Sequence, residues 1–161
     1  MAAYYKRTGK TLVQGLNEIY REHGYYRERV LSFVFEGADG VSTMQAIMEG
    51  FRENQREPFM GSKAKKVVDY LEGFAHYLGG EKGCDMSVGM KPTGLPKENI
   101  MEFVYPNHSS FIVRPSGTEP KLKIYLFVKS DQAETAESRL SQLEKKVRAF
   151  VEEGEQHVER F

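Results

Sequence analysis

The sequence predicts an α+β fold: a largely antiparallel sheet of about four strands with two helices packed on one face. Three observations carry that expectation. Short runs alternate apolar and polar residues between turn signals, two longer stretches repeat apolar residues at helical spacing, and the runs Ile100–Tyr105 and Ser110–Val113 are joined by only Pro106-Asn107-His108-Ser109, as in a hairpin.

Residues 2–6 read as helical, and Leu12, Leu16, Ile19 and Tyr20 continue a helical stripe from Thr11. No cap or strand precedes Met1, so residues 1–26 are expected to be the helical end of a preceding domain with its hinge. One domain then covers 27–154, and 155–161 forms a loose tail. Gly24 should stop the second helix, leaving Tyr25-Tyr26-Arg27-Glu28 as a connector. From Val30 to Phe35 the alternation puts Leu31, Phe33 and Phe35 on one face of a strand.

Gly37-Ala38-Asp39-Gly40 breaks that strand, and Val41, Met44, Ile47, Met48 and Phe51 share one face of the helix that follows. A glycine turn before a helix could receive phosphate, but this one lacks a nucleotide fingerprint and reads as a tight β-to-α connection. Arg56-Glu57-Pro58 closes the helix, and Lys65–Tyr70 is a short strand. Six glycines between Gly73 and Gly94 predict an irregular excursion. Within it Gly79-Gly80-Glu81-Lys82-Gly83 resembles half a glycine-rich phosphate loop, yet no helix signal follows, which favours a surface loop.

Leu122, Ile124, Leu126 and Val128 form the most hydrophobic face in the chain and predict a central strand. Asp131 and Glu134 have the spacing of a capping box at the start of the last helix. Its stripe of Ala133, Ala136, Leu140, Leu143, Val147 and Phe150 is expected to end at Gly154 and to pack on the sheet rather than zip into a coiled coil.

A chain of 161 residues and 18.4 kDa suits one domain, or one domain and a piece of another. Lys plus Arg and Asp plus Glu each number 23, and this zero net charge disfavours a nucleic-acid binder that works through bulk charge. Cys84 is the only cysteine, which rules out an internal disulfide and fits a reducing compartment. No apolar run approaches the roughly 20 residues that cross a bilayer, and the N-terminus lacks a signal-peptide core. A soluble, cytoplasmic protein is expected.

The stretch Arg114–Lys121, R-P-S-G-T-E-P-K, lies between two β-like runs, and two prolines and a glycine should turn its backbone out of the sheet. Arg114 offers a planar fork of donors, Ser116 and Thr118 offer hydroxyls, and Gly117 has no side chain to keep a ligand from the backbone N–H groups. That is the chemistry of a phosphate cradle. The alternative is a structural loop in which Arg114 pairs with Glu119 while the hydroxyls make local turn bonds.

Catalytic constellations are not evident. Asp39, Asp69, Asp85 and Asp131 are far apart in sequence, as are His23, His76, His108 and His157, and neither a metal-ligand spacing nor a Ser-His-Asp or Cys-His set stands out.

The string R-P-S-G-T-E-P-K, with the strand Leu122-Lys123-Ile124-Tyr125 after it, resembles the phosphate-binding loop in the last domain of the α-D-phosphohexomutases, the phosphoglucomutase and phosphomannomutase group. Thr93-Gly94-Leu95-Pro96 with Asn99, Phe35-Glu36-Gly37 with Asp39-Gly40, and Asp69-Tyr70 agree with it in order, and residues 1–26 resemble the end of the family's third domain. The family's fourth domain is similar to the TATA-binding-protein fold. The resemblance implies that Arg114, Ser116, Gly117 and Thr118 grip the phosphate not being transferred, with Lys121 and Lys123 as supplementary charge. It also implies a parent isomerase that moves a phosphoryl group between the C1 and C6 oxygens of a hexose, through a phosphoserine, with Mg²⁺ on an acidic loop.

The family's T-x-S-H-N-P, D-G-D-x-D-R and G-E-x-S-G motifs are absent from this sequence. The expectation is therefore a domain that binds hexose phosphate and contacts upstream domains of the same polypeptide, holds no catalytic residue and no metal, and does not turn over alone. Two other classes remain open. One is a nucleic-acid reader using the exposed face of a TATA-binding-like sheet, and the other is a dimerisation piece built on the last helix.

Overall fold

In the computed structural model, residues 2–37, 39–55, 57–78 and 89–158 are described. The chain opens with α1 (Ala2–Arg7) and α2 (Leu12–His23), runs through β1 (Tyr25–Val34) and α3 (Gly40–Glu53), and continues with β2 (Lys66–Asp69), β3 (Phe74–Tyr77) and β4 (Gly89–Pro92). A second group follows: β5 (Met101–Val104), β6 (Ser110–Pro115), β7 (Lys121–Ser130) and α4 (Ala133–Val158). All seven strands form one sheet in the order β1-β7-β6-β5-β2-β3-β4, and every neighbouring pair is antiparallel.

The α+β class and the antiparallel sheet agree with the sequence, but among the described residues the sheet has seven strands instead of about four. Strands β3 and β4, which the sequence pattern does not place, lie in the glycine-rich stretch, where β2 offers a hydrogen-bonding edge that alternation within four residues does not reveal. Gly73, at φ 84°, makes the turn between β2 and β3. The stretch 79–83, expected to be a surface loop despite its likeness to half a phosphate loop, lies outside the described residues, as do Cys84 and Asp85.

Burial follows the period of two. Leu122, Ile124, Leu126 and Val128 are buried in β7, which is paired on both sides as expected of an interior strand. They meet Met44, Ile47, Met48 and Phe51 of α3 and Leu140, Leu143, Val147 and Val151 of α4 in one core. Phe103 and Phe111 stack at 4.5 Å, and Phe51 meets Phe111 at 6.1 Å. Each such buried ring contributes about 1.5–3 kcal/mol. The other face of the sheet carries the alternate residues, and there Val30 and Val34 stay exposed.

Several boundaries differ from the sequence reading. Tyr25–Glu28 is strand, not connector, because β7 runs on to Ser130 and pairs with these residues. Val41, at the first turn of α3, is exposed. The last helix begins at Ala133, and its first turn closes on the carbonyl of Gln132 rather than on Asp131. It also continues through Gly154 to Val158, so most of the expected tail is helical. A Cβ at Gly154 would lie 3.0 Å from Ile47 Cγ1, so glycine there permits close α3–α4 packing instead of ending the helix.

Helix α2 has the predicted limits. Thr11 accepts from the Gln14 N–H while the Gln14 side chain accepts from the Thr11 N–H, a full capping box, and Gly24 closes the other end at φ 92°.

Candidate functional site

The predicted cradle begins on a strand. Arg114 and Pro115 remain in β6, paired with Lys123 and Leu122, and Lys121 already belongs to β7. The loop proper is Ser116–Pro120. Pairing thus survives further than two prolines and a glycine suggested, because Ser116 N–H donates to the Lys121 carbonyl at 2.7 Å and Lys121 N–H to the Glu119 carbonyl at 2.7 Å. On the far side, the Phe35 N–H donates to the Pro120 carbonyl at 2.9 Å, tying the loop to the end of β1.

The β1-to-α3 turn presses against the same loop. A Cβ on Gly40 would sit 2.3 Å from the Phe35 carbonyl oxygen and 3.1 Å from Pro120 Cβ, so only glycine fits between turn and loop. The turn's role is this close packing, consistent with a tight β-to-α connection.

Period-two alternation sets the direction of the charges. Val113, Leu122 and Ile124 face the core, so Arg114, Lys121 and Lys123 point to the opposite side of their strands. Arg114 lies directly across from Lys123, an arrangement that is repulsive unless an anion joins it. Among the described residues none of these three cations makes an ion pair or a side-chain hydrogen bond. The Arg114–Glu119 pair of the structural-loop alternative is thus not formed. One local bond of that alternative is present, since the Thr118 N–H donates to Ser116 Oγ at 3.4 Å. The Gly117 N–H has no partner among the described residues, and no atom lies within 4 Å of where a Gly117 Cβ would be, so that backbone is open to a ligand.

A groove of about 520 Å³ runs beside this loop. One wall is Arg114–Pro120, the second is Val41, Met44 and Gln45 of α3, and the third is Glu98, Asn99 and Ile100. It is mixed in character, with a guanidinium, hydroxyls, amides and two carboxylates. Across Arg114 lies an apolar recess with Tyr70, Leu95, Ile112, Tyr125 and Phe127. Burial first, and then the charge of Glu102, raises the Tyr70 phenol above its ordinary value, so it stays protonated and donates to Glu102 at 3.2 Å.

Sequence reasoning found Arg114, Ser116, Gly117 and Thr118, which the fold brings to one rim of the groove. Lys121 and Lys123 do not line it; they lie beside Arg114 on the open sheet face. Gln45 and Glu98 were missed, and the only signal for them would have been the pairing that carries α3 and the 93–100 segment to the loop. Of the scattered aspartates, Asp69 is fully buried and accepts from Arg52 Nε at 2.9 Å. Among the described residues no group of three or more His, Cys, Asp or Glu side chains is placed to hold a metal ion.

The sequence profile of the phosphoglucomutase/phosphomannomutase C-terminal domain matches residues 62–153. The chain is 36% identical over 129 residues to a phosphoglucomutase of Staphylococcus haemolyticus, covering 80% of this chain and 22% of that protein. It is also 36% identical over 121 residues to one of Staphylococcus saprophyticus, covering 74% and 20%. The chain therefore spans about a fifth of the length of these relatives. Among solved structures, the open form of the exocytosis-sensitive phosphoprotein pp63/parafusin, a phosphoglucomutase from Paramecium, superposes with a TM-score of 0.55 at 15% identity, over 88% of this chain and 23% of that one.

Proposed function

Since the chain belongs to the phosphoglucomutase/phosphomannomutase C-terminal domain family, we propose that Arg114, Ser116, Gly117 and Thr118 hold the phosphate of a hexose phosphate, the group not undergoing transfer. The observation that carries this reading is Arg114 itself. It is exposed, faces Lys123 without a counter-charge, and stands beside two hydroxyls and the open Gly117 N–H. A phosphate dianion would relieve the repulsion and accept charge-assisted bonds from the guanidinium fork. Lys121 and Lys123 add attraction from the sheet face without lining the groove.

In a protein of the relatives' length, the activity assigned is intramolecular phosphoryl transfer between the C1 and C6 oxygens of a hexose. Transfer needs an in-line nucleophile and charge stabilisation at the moving group, whereas a grip on the other phosphate supplies positioning. This domain's part is the positioning. Mg²⁺ and the phosphoserine are assigned to segments of the relatives that this chain does not match, and the chain alone binds without turnover. Residues 1–26 are assigned to the end of the preceding domain, with upstream domains as neighbours. In support, Leu12, Val13 and Leu16 are exposed on α2, although the sheet already begins at Tyr25. The setting assigned is cytoplasmic; among the described residues no helix is long and apolar enough to cross a membrane.

The test is titration of the chain with glucose 6-phosphate, followed by amide chemical shifts. Arg114→Ala should weaken binding by about 1.5–3 kcal/mol, roughly ten- to a hundredfold or more, the scale of a charged hydrogen bond. Equal affinity of variant and parent chain rejects the assignment.

A further inference from the structure

The third wall of the groove, residues 98–100, is neither helix nor strand, yet an anion site needs its walls at fixed separation. Both ends of the 93–100 segment trace back to one buried carboxylate. Asp69 Oδ1 accepts from the Leu71 and Glu72 N–H groups at 2.9 and 3.2 Å, which shapes the turn after β2. Gly73, at the end of that turn, donates its N–H to the Asp69 carbonyl, and its own carbonyl accepts from the Thr93 N–H at 2.9 Å. That fixes one end of the segment.

The other oxygen, Asp69 Oδ2, accepts from Arg52 Nε at 2.9 Å, and the Arg52 guanidinium donates onward to Asn99 Oδ1. The Tyr70 N–H holds the Ile100 carbonyl at 3.0 Å. That fixes the second end, beside the groove. Arg52 belongs to α3 and does not line the groove, whereas Asn99 does.

We propose that Arg52, aligned by buried Asp69, is a positioning residue for anion binding: through Asn99 it sets the distance between the 98–100 wall and the Arg114–Thr118 rim. A guanidinium can do this because its rigid fork serves two acceptors at once, which a lysine ammonium on a flexible stem does not reproduce. The role rests on the phosphate-binding reading of the same groove.

The experiment uses the full 161-residue chain and glucose 6-phosphate as the probe, with affinities from amide shifts and stabilities from urea unfolding. Arg52→Lys retains the charge and should lower affinity about three- to tenfold. Asn99→Ala should lower it similarly, and the double variant should be no weaker than Asn99→Ala alone, because both act through one link. A merely structural role for Arg52 would lower stability without that coupling. If Arg52→Lys does not fold, Asn99→Ala alone must still shift the amides of 93–100 and weaken binding. Unchanged affinity in Asn99→Ala, or additive losses in the double variant, overturns the proposal while leaving the phosphate reading intact, provided Arg114→Ala weakens binding as expected. If Arg114→Ala binds as the parent chain does, the reading and the inference fall together.

Discussion

Replacing Gly40 by alanine should destabilise the domain, while the same replacement ten residues further along α3, at Gly50, should stabilise it. At Gly40 the new Cβ would be 2.3 Å from the Phe35 carbonyl oxygen and 3.1 Å from both the Phe35 carbonyl carbon and Pro120 Cβ. Carbon–oxygen contacts settle near 3.3–3.6 Å, so the overlap is about 1 Å and falls on backbone that cannot rotate away. Overpacking of this kind costs about 1–3 kcal/mol, and alanine's helical advantage of about 0.5–1 kcal/mol is smaller at a first helical residue than in mid-helix. At Gly50 the nearest atoms are Phe150 ring carbons at 3.6 and 3.7 Å, an ordinary contact, so the helical gain survives.

For a chain of this size each kcal/mol moves Tm by roughly 2–4 °C. Gly40→Ala should therefore melt roughly 2–12 °C below the parent chain and Gly50→Ala about 1–4 °C above it, by circular dichroism. Because Pro120 is one of the clashing partners, Gly40→Ala should also weaken glucose 6-phosphate binding, and Gly50→Ala should not. A neutral Gly40→Ala, or a lower Tm for Gly50→Ala, would refute the packing argument.

Three further outcomes are expected. Asp69→Ala leaves the Arg52 guanidinium without its buried partner and should cost about 3–5 kcal/mol in urea unfolding, where a loss under about 1 kcal/mol would contradict a structural role for the Arg52–Asp69 pair. The Glu144 carboxyl lies below its ordinary value of 4.5, because Arg29 and Arg148 donate to it. Its contribution is then present above that value and lost as pH falls through the depressed one, so the stability gap between the parent chain and Glu144→Gln should close in acid. A gap independent of pH from 7 to about 3 would dismiss the linkage. Tyr105 is buried and its hydroxyl has no partner among the described residues, so Tyr105→Phe should be neutral or stabilising by about 1 kcal/mol, and a clear loss in urea midpoint would mean that the hydroxyl is satisfied after all.

The legible parts of the fold are those whose signal is local. The stripe of Met44, Ile47, Met48 and Phe51 and the alternation of Leu122, Ile124, Leu126 and Val128 mark helix and strand without reference to anything else. Strands β3 and β4 were not legible, because four residues with glycines nearby become a strand only when β2 supplies the other half of the ladder. The end of α4 failed for a related reason: Gly154 reads as a stop in isolation and as a contact once Ile47 lies against it.

The candidate site divides in the same way. The donors are legible from residue type, since Arg114, Ser116, Gly117 and Thr118 are contiguous and their chemistry does not depend on the fold. Tertiary structure alone decided that Arg114 faces Lys123 with no counter-charge, that Gly40 locks the loop from below, and that Asp69 reaches Asn99 through Arg52. The physical reason is range. Propensity and periodicity act over a few residues along the chain, whereas register, close approach and buried charge pairing join segments that meet only when the sheet closes.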